Sequence, residues 1–291
     1  MSDASGTTPA DAFTAALAPI DAWEVPHAGV VVVGPDGPLA RRGETERVLP
    51  VASLAKPLTA ATVLLEVAAG SLDLDEPAGP TADQGATLRH LLAHAAGLGF
   101  EHGDRTMAPG ARRIYSNWGY EAAAELAAER AGTSFADLMR ERLTGPLGMT
   151  STTLDGSPAH AITSTVEDLA RFVTELVAPH VLDAQTHALL TTPAFPELDG
   201  VLPGFGRQRP NGWTLGLEVR GTKEPHWSGE RLSPDAVGHF GRTGSLLWAD
   251  RAARVGLATL SGVDFGDWAR TAWPALNAAV IDAAQGRLSA D

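Results

Sequence analysis

A serine and a lysine stand three positions apart in this chain, at Ser53 and Lys56, where an apolar, alanine-rich run begins that continues to Ala69. A serine hydroxyl is a weak nucleophile until a nearby base removes its proton. If the run is a helix, positions i and i+3 share a face, and Ser53 lies in the first turn near the positive end of the helix dipole. The spacing therefore suits a nucleophile and its base. Ser-x-x-Lys also occurs by chance, and a capped helix with a surface lysine is the alternative.

The use of lysine at this position is unusual for the chain. The sequence has two lysines, Lys56 and Lys223, against twenty arginines. Arginine cannot give up its proton in a protein, whereas desolvation and neighbouring charge can turn a lysine into a base. The pairing of a scarce lysine with a serine favours the catalytic interpretation.

A tyrosine and an asparagine two positions apart form a second candidate group. Tyr115 is one of only two tyrosines, follows a Pro-Gly turn with arginines beside it, and is followed by Asn117. A phenol can carry a proton if positive charge lowers its pKa. The amide of Asn117 could face a substrate carbonyl or the lysine. A loop tyrosine that only packs its ring is the alternative.

A glycine-dense strand pattern, Gly238-His239-Phe240-Gly241, forms the third group. Glycine inside a strand often marks a close approach between backbone and ligand. Such a strand would line a cleft and leave a backbone N–H free to hold a developing oxyanion. Taken alone, His239 is also consistent with a structural histidine.

The three motifs in this order, Ser53-x-x-Lys56, Tyr115-x-Asn117 and His239-x-Gly241, resemble the serine β-lactamase and penicillin-binding-protein superfamily. The most similar branch comprises class C β-lactamases with the related esterases and D-amino-acid peptidases. The resemblance covers roughly residues 30–260. Further segments resemble landmarks of the family: Leu91–Leu98, Gly145–Met149 and Ser164–Leu169.

The resemblance implies a role for each motif residue. Ser53 would be the acylated nucleophile, and Lys56 and Tyr115 would share the work of the general base. Asn117 would hold Lys56 and the acyl side chain of the substrate. A Tyr-x-Asn motif in place of Ser-Asp-Asn also argues against the class A arrangement with its separate deacylating glutamate.

On the strand, the resemblance implies substrate-binding roles for His239, Gly241 and Arg242. His239 would replace the cationic residue of the edge strand, and the backbone N–H groups of Ser53 and Arg242 would form the oxyanion hole. Arg242-Thr243-Gly244 could itself be aligned with the Lys-Thr-Gly motif, but the spacing Gly-His-x-Gly-x-x-Gly favours His239.

The third motif departs from the Lys-Thr-Gly that is usual in drug-hydrolysing members. Histidine stands where they have lysine, and Phe240 stands where they have threonine. A histidine with an ordinary pKa of about 6.5 is mostly neutral at pH 7. Both changes weaken recognition of a carboxylate and favour neutral substrates such as esters.

The elements that must position these residues follow a simple order along the chain. Strand-like segments occupy both ends, at 28–33, 39–48, 213–219, 236–240, 245–249 and 254–260. Helical segments occupy 10–24, 53–69, 87–95, 121–132, 135–143, 165–176 and 268–284, and a Pro- and Gly-rich connecting loop is predicted at 193–210.

We therefore expect an α/β (α+β) fold of the β-lactamase/transpeptidase type, as the resemblance also implies. An antiparallel sheet would be formed by both chain ends, with flanking terminal helices and an inserted helical lobe. Residues 1–50 and 205–291 would form the sheet lobe and residues 51–204 the helical lobe, with the site between them.

Composition excludes several other classes. The 291 residues carry a net charge of −13 and no cysteine, which argues against nucleic acid as a partner and excludes disulfides and thiolate metal sites. The start of the chain resembles no signal peptide and no run suits a membrane span, so a cytoplasmic protein without membrane association is expected. His90 and His94 have metal-ligand spacing, but no third ligand is evident. No metal or cofactor is expected.

The sequence thus predicts a serine hydrolase that forms an acyl-enzyme on a small-molecule ester or amide, with ester hydrolysis as the leading activity. A β-lactamase or D-amino-acid peptidase is the alternative within the fold, and acyl transfer to an alcohol is a further possibility. A ligand-binding or sensing module without turnover is the alternative of another class.

Overall fold

The main sheet joins strands from the two ends of the chain. The computed structural model describes residues 9–288. Its strands are β1 (Gly29–Gly34), β2 (Gly37–Gly43), β3 (Leu49–Pro50), β4 (Thr153–Leu154), β5 (Ile162–Ser164), β6 (Gly200–Leu202), β7 (Gly206–Gln208), β8 (Glu218–Val219), β9 (Val237–Gly241), β10 (Ser245–Asp250) and β11 (Val255–Leu260). Six of them form an antiparallel sheet in the order β2-β1-β11-β10-β9-β8. The predicted sheet built from both chain ends is confirmed.

Helices fill the middle of the chain and flank the sheet. They are α1 (Pro9–Ala16), α2 (Ala55–Ala68), α3 (Leu88–Leu92), α4 (Asn117–Ala131), α5 (Phe135–Met139), α6 (Val166–Val177), α7 (Ala184–Thr191) and α8 (Asp267–Leu288). Helix α6 packs against β1, β10 and β11, while α1 and α8 pack together on the opposite face. No helix within residues 9–288 has both the length and the apolar character needed to cross a membrane. The division into two lobes stays a prediction.

The valine run of β1 explains how the sheet is covered on both sides. Successive side chains of a strand point to opposite faces. Val31 and Val33 belong to the apolar cluster that includes α2 and α6, whereas Val30 and Val32 pack in the cluster of α1 and α8. Because both faces are buried, the strand needs apolar residues at every position and shows no alternation.

Two predicted helices begin or end elsewhere for local reasons. The predicted helix at 10–24 ends as α1 at Ala16 and continues as a 3-10 turn at 18–22, which Pro19 opens because it has no N–H to donate. Helix α4 begins at Asn117, four residues before its predicted start, because the side chain of Ser116 caps it and accepts a hydrogen bond from the N–H of Gly119 at 3.0 Å. The cap places Asn117 at the first position of the helix.

The region after α7 contains more structure than the sequence pattern indicated. The predicted loop at 193–210 holds the β6–β7 hairpin. The predicted strand at 213–219 folds back on itself instead, so that Trp213 pairs with Glu218 across a tight turn. Gly216 permits this turn because it adopts a φ of 138°, which residues with a Cβ rarely reach. The turn brings Trp213 and Glu218 side by side.

Candidate active site

Ser53 lies in a 3-10 turn at residues 52–54, directly before α2 and outside the helix in which it was predicted. Lys56 lies in the first turn of α2. The residue before the serine, Ala52, has a φ of 47°, a left-handed conformation that costs energy for a residue with a Cβ. Backbone strain of this kind tends to occur at functional sites, where the surrounding structure maintains it.

The hairpin of β9 and β10 holds the Ser53 turn in place. The hydroxyl of Ser245 donates a hydrogen bond to the carbonyl of Val51 at 2.7 Å. Gly241, at the end of β9, lies so close that a Cβ would overlap both the Val51 carbonyl oxygen and the Ser245 hydroxyl. Only glycine lets the strand approach the turn this closely, which accounts for the glycine in the third motif.

Lys56 is completely buried, and its described hydrogen bonds go to two neutral oxygens. Its ammonium donates to Oδ1 of Asn117 at 2.6 Å and to the carbonyl of Ala159 at 3.0 Å. Burial lowers the pKa of Lys56 to about 7, and the carboxylates of Glu101 and Glu121 partly oppose this shift. Near neutral pH a large fraction of Lys56 is therefore the free amine, which can accept a proton.

The phenol of Tyr115 connects the serine to the strand. Its ring centroid lies 4.6 Å from the Lys56 Nζ, its hydroxyl lies 3.4 Å from Nε2 of His239, and it lines the same cavity as Ser53. Burial raises the pKa of Tyr115 far above its ordinary value, and the side chain of Ser53 opposes this only in part. Tyr115 is therefore a neutral phenol at pH 7, and of these two groups Lys56 is the one able to take a proton.

His239 is buried and neutral at this site. Its Nδ1 lies 2.7 Å from the carbonyl of Phe240, and because a carbonyl only accepts, Nδ1 carries the hydrogen and Nε2 presents its lone pair to Tyr115. Burial, followed by the charge of Lys56, lowers the pKa of His239 to about 4. His239 therefore supplies no positive charge at neutral pH.

Asn117 lies between a cation and a carboxylate. While Oδ1 accepts from Lys56, Nδ2 donates to Oε1 of Glu101 at 2.7 Å. The predicted contact with Lys56 is present, and no residue of the predicted motifs indicated Glu101.

Arg242 follows β9 and lines the same cavity as Ser53. Its carbonyl accepts a hydrogen bond from the N–H of Phe265 at 2.6 Å. Thr243 donates its hydroxyl to the carbonyl of Pro50 at 2.8 Å. Since Thr243 is engaged outside the cavity while His239 faces Tyr115, the geometry favours aligning His239, and not Arg242, with the family's third motif.

One cavity opens beside Ser53 and has a volume of about 240 Å³. Most of the side chains around it are aromatic or aliphatic. The lining residues are Ser53, Phe100, Tyr115, Leu202, Pro203, Gly204, Trp213, Glu218, His239, Phe240, Arg242 and Phe265. Tyr115, His239 and Arg242 are thus brought to the serine from distant segments. Phe100, Leu202, Pro203 and Phe265 were not foreseen, because single apolar residues outside the predicted helices and strands carry no spacing signal.

Glu218 is the acidic residue of the cavity lining, and its charge is compensated. Its carboxylate accepts hydrogen bonds from Lys223 at 2.7 Å, His226 at 2.9 Å and the indole of Trp227 at 2.7 Å. Burial acts to raise the pKa of Glu218, but Lys223 and His226 outweigh it and hold the pKa far below its usual range. The sequence showed no signal for this buried network.

Three buried tryptophans, Trp213, Trp227 and Trp248, have different surroundings. Trp213 lines the cavity. Trp227 lies behind it with its indole bound to Glu218, and Trp248 is buried in the cluster of α1 and α8, where it donates to Asn277 at 2.7 Å.

The histidine pair with metal-ligand spacing is engaged in local hydrogen bonds. His94 is buried and its Nδ1 accepts from the N–H of Ser116 at 3.1 Å, while Nδ1 of His90 lies 2.9 Å from the hydroxyl of Thr87. In the part of the chain that the structure describes, no group of three or more His, Cys, Asp or Glu side chains is arranged to hold a metal ion.

Comparisons with known proteins identify the family of the chain. A sequence model of the beta-lactamase family matches residues 20–280. A comparison with curated protein sequences gives no match. A crystal structure described as a beta-lactamase (Mb2281c) from Mycobacterium bovis is 47% identical, covers 92% of this chain and 98% of its own, and superposes with a TM-score of 0.88.

Two more distant structures share the fold. EstCE1, described as a hydrolase with promiscuous acyltransferase activity, is 14% identical, covers 94% of this chain and 98% of its own, and has a TM-score of 0.75. A class C beta-lactamase is 17% identical, covers 92% and 95% of the two chains, and has a TM-score of 0.71. The family match over residues 20–280 and the 47% identical structure show that the chain belongs to the beta-lactamase family of serine hydrolases.

Proposed function

We propose that this protein hydrolyses esters whose acyl group is small and carries no charge, and that it does so through an acyl-enzyme on Ser53. The observation that carries the proposal is the apolar cavity beside Ser53, in which His239 is neutral and Glu218 is already paired. Its volume of about 240 Å³ is below the roughly 300–1,000 Å³ of pockets for drug-sized ligands. Such a cavity suits a short aliphatic or aryl group.

In the acylation step, the free amine of Lys56 accepts the proton of Ser53 as the serine oxygen attacks the ester carbonyl. The negative charge moves to the carbonyl oxygen, and the backbone N–H groups of Ser53 and Arg242 stabilise it. As the C–O bond to the alcohol breaks, Tyr115 gives its phenolic proton to the leaving oxygen and regains one from the Lys56 ammonium. The products are the free alcohol and the acyl-serine.

Deacylation repeats these steps with water as the nucleophile. Lys56 accepts a proton from water, the hydroxide attacks the acyl carbonyl, and the serine oxygen leaves with the proton that Tyr115 supplies. Tyr115 regains a proton from the Lys56 ammonium, the acid is released, and the resting state of the three groups is restored.

A substrate panel on the wild type beside Ser53→Ala tests the proposal. Short p-nitrophenyl esters should be turned over by the wild type, and the variant should lose at least about 10³-fold in kcat/KM because no other group replaces the nucleophile. Ser151→Ala, outside the site, is the matched control. A fluorophosphonate probe should label Ser53; labelling of another residue would refute the assignment.

The second candidate, a β-lactamase or D-amino-acid peptidase, is favoured by one feature, the exposed Arg242 at the cavity. Its guanidinium could bind a substrate carboxylate. Turnover of a chromogenic cephalosporin that exceeds ester turnover, and that Arg242→Gln abolishes, would establish this candidate. For neutral esters Arg242→Gln should change kcat/KM less than about threefold, because the backbone N–H of the proposed oxyanion hole remains.

Transfer to an alcohol and binding without turnover are separated by the same assays. An added alcohol acceptor would yield a new ester if acyl transfer competes with hydrolysis. A stoichiometric burst of p-nitrophenol with no steady-state rate would identify a binding or sensing module.

A further inference from the structure

The orientation of the Asn117 amide is dictated by its two partners. An ammonium group has only donors and a carboxylate has only acceptors. Lys56 therefore requires the amide oxygen, and Glu101 requires the amide nitrogen, in agreement with the contacts of 2.6 Å and 2.7 Å. With both partners in place, the amide has one favourable orientation.

This orientation becomes important when Lys56 loses its proton. A neutral amine has a lone pair, and a freely rotating amide could donate its NH₂ group to that lone pair. Such a hydrogen bond would occupy the electron pair that must accept the proton of Ser53. Because Glu101 retains the NH₂ group of Asn117, the lone pair stays available.

Local contacts hold Glu101 beside Asn117. The backbone N–H of Asn117 donates to the carbonyl of Phe100 at 2.8 Å. The N–H of Glu101 donates to the carboxylate of Asp104 at 2.8 Å, which closes a turn. The loop is thereby fixed to the start of α4.

A second carboxylate lies behind the other acceptor of Lys56. The carbonyl of Ala159 accepts from Lys56, and the N–H of the same residue donates to the hydroxyl of Ser157 at 3.2 Å. That hydroxyl donates to Oε1 of Glu121 at 2.5 Å. Each acceptor of Lys56 thus leads to one glutamate.

We propose that Glu101 and Glu121 are positioning residues for Lys56, with Glu101 locking the Asn117 amide and the two carboxylates together setting how readily the amine takes up a proton. This inference rests on the proposed function, in which Lys56 is the base. Under this proposal, Glu101 and Glu121, which lie outside the three motifs, control the proton that Lys56 accepts in the reaction.

The other titratable groups around Lys56 carry no charge near neutral pH. The rings of Tyr115 and Tyr120 lie 4.6 Å and 5.8 Å from its Nζ, and burial raises the pKa of both phenols. Burial and the Lys56 charge lower the pKa of His94 and of His239. Among the described residues, the charges that act on the pKa of Lys56 are those of Glu101 and Glu121.

Lysine NMR measures this control directly, because the chain has only two lysines. Incorporation of ¹³Cε-lysine gives two resonances, which Lys56→Met assigns. Glu101→Gln and Glu121→Gln should each move the titration midpoint of Lys56 to lower pH by roughly half a unit or more, because a removed negative charge favours the neutral amine. Glu125→Gln, one turn further along α4 and exposed, is the matched control and should shift it by less than about 0.2 unit. An unchanged midpoint in both site variants would overturn the proposal.

Kinetics separate the locking of the amide from the effect of charge. Glu101→Gln retains an acceptor for Asn117, so the acidic limb of kcat/KM should move to lower pH while the plateau kcat stays within about threefold. Glu101→Ala also frees the amide, and its plateau kcat should fall about tenfold or more. Equal plateau values for the two variants would refute the lock.

The outcome is distinguishable from a failure of the proposed function. If a fluorophosphonate leaves Ser53 unlabelled while the NMR midpoints shift as expected, the ester-hydrolase proposal fails and the charge control stands. If Ser53 is labelled and the midpoints do not shift, the inference fails and the hydrolase proposal stands.

Discussion

The two lysines of the chain are both buried, yet their surroundings differ in kind. Lys56 contacts two neutral oxygens, on Asn117 and Ala159. Lys223 lies 2.7 Å from the carboxylate of Glu218 and forms an ion pair that is almost wholly removed from solvent. The comparison shows how one residue type can be buried with two different kinds of partner.

The difference lies in where the compensating negative charge is placed. Burial lowers the pKa of Lys223, but the carboxylate of Glu218, which accepts a hydrogen bond from it, opposes the shift. For Lys56 the carboxylates of Glu101 and Glu121 act from behind an amide and a peptide group, and the pKa settles at about 7. Lys223 thus has its counter-charge within hydrogen-bonding distance, whereas Lys56 has only neutral oxygens there among the described residues.

The Lys223 pair also has an evident structural task. Its ammonium donates to the carbonyl of Gly212 at 2.9 Å as well as to Glu218, and these two residues flank the tight turn that carries Trp213. The ion pair thus fixes one wall of the cavity.

The largest expected effect comes from removing the base. Lys56→Met should lower kcat/KM for a neutral ester by roughly 10²–10⁴, the usual contribution of a general base. The free energy of unfolding should stay the same or rise, because an apolar side chain replaces a buried amine. Steady-state kinetics and urea unfolding measure the two quantities; a variant that retains more than a tenth of the activity would exclude Lys56 as the base.

Lys223→Met should show the opposite pattern. The substitution leaves the Glu218 carboxylate buried without its cation, and we expect the free energy of unfolding to fall by about 3–5 kcal/mol. The folded enzyme should keep its activity within about tenfold. Addition of Glu218→Gln should recover part of the lost stability, because the uncompensated charge is removed. A single variant as stable as the wild type would show that the pair has no structural role.

The pH dependence of the reaction should reflect Lys56 and not His239. Since the base must be neutral, kcat/KM for an uncharged ester should rise about tenfold per pH unit below pH 7 and level off above it, following the pKa of about 7. His239, with a pKa of about 4, does not change its charge in this range. A profile that is flat between pH 5.5 and pH 8, with chemistry limiting the rate, would contradict the assignment.

The smallest effect is expected from a variant that makes the surroundings of Lys223 resemble those of Lys56. Glu218→Gln replaces the direct carboxylate partner of Lys223 by a neutral amide, as at Lys56. The titration midpoint of Lys223 should then move to lower pH, because a buried ammonium without its counter-charge is less stable. The ¹³Cε resonance of Lys223 measures the change, with the Lys56 resonance as the internal reference. A midpoint that does not move would mean that Glu218 does not set the protonation of Lys223.

Much of the fold could be predicted from the sequence because the signals were local. The strand-like segments at both chain ends indicated the sheet, and the three motifs indicated the candidate site residues. The predicted bounds of helices and strands were wrong where a single residue decided where an element begins, ends or turns. Pro19 ended a helix, Gly216 turned a predicted strand back on itself, and Ser116 started α4 early enough to place Asn117.

The sequence by itself determined the nucleophile, lysine and phenol candidates and their order, because residue types and short spacings can be read directly from the chain. Only the tertiary structure decided that Lys56 is buried against neutral oxygens with Glu101 and Glu121 behind them, and that His239 is neutral. Proton affinity depends on burial and on charges brought from distant segments, and no local pattern records those contacts.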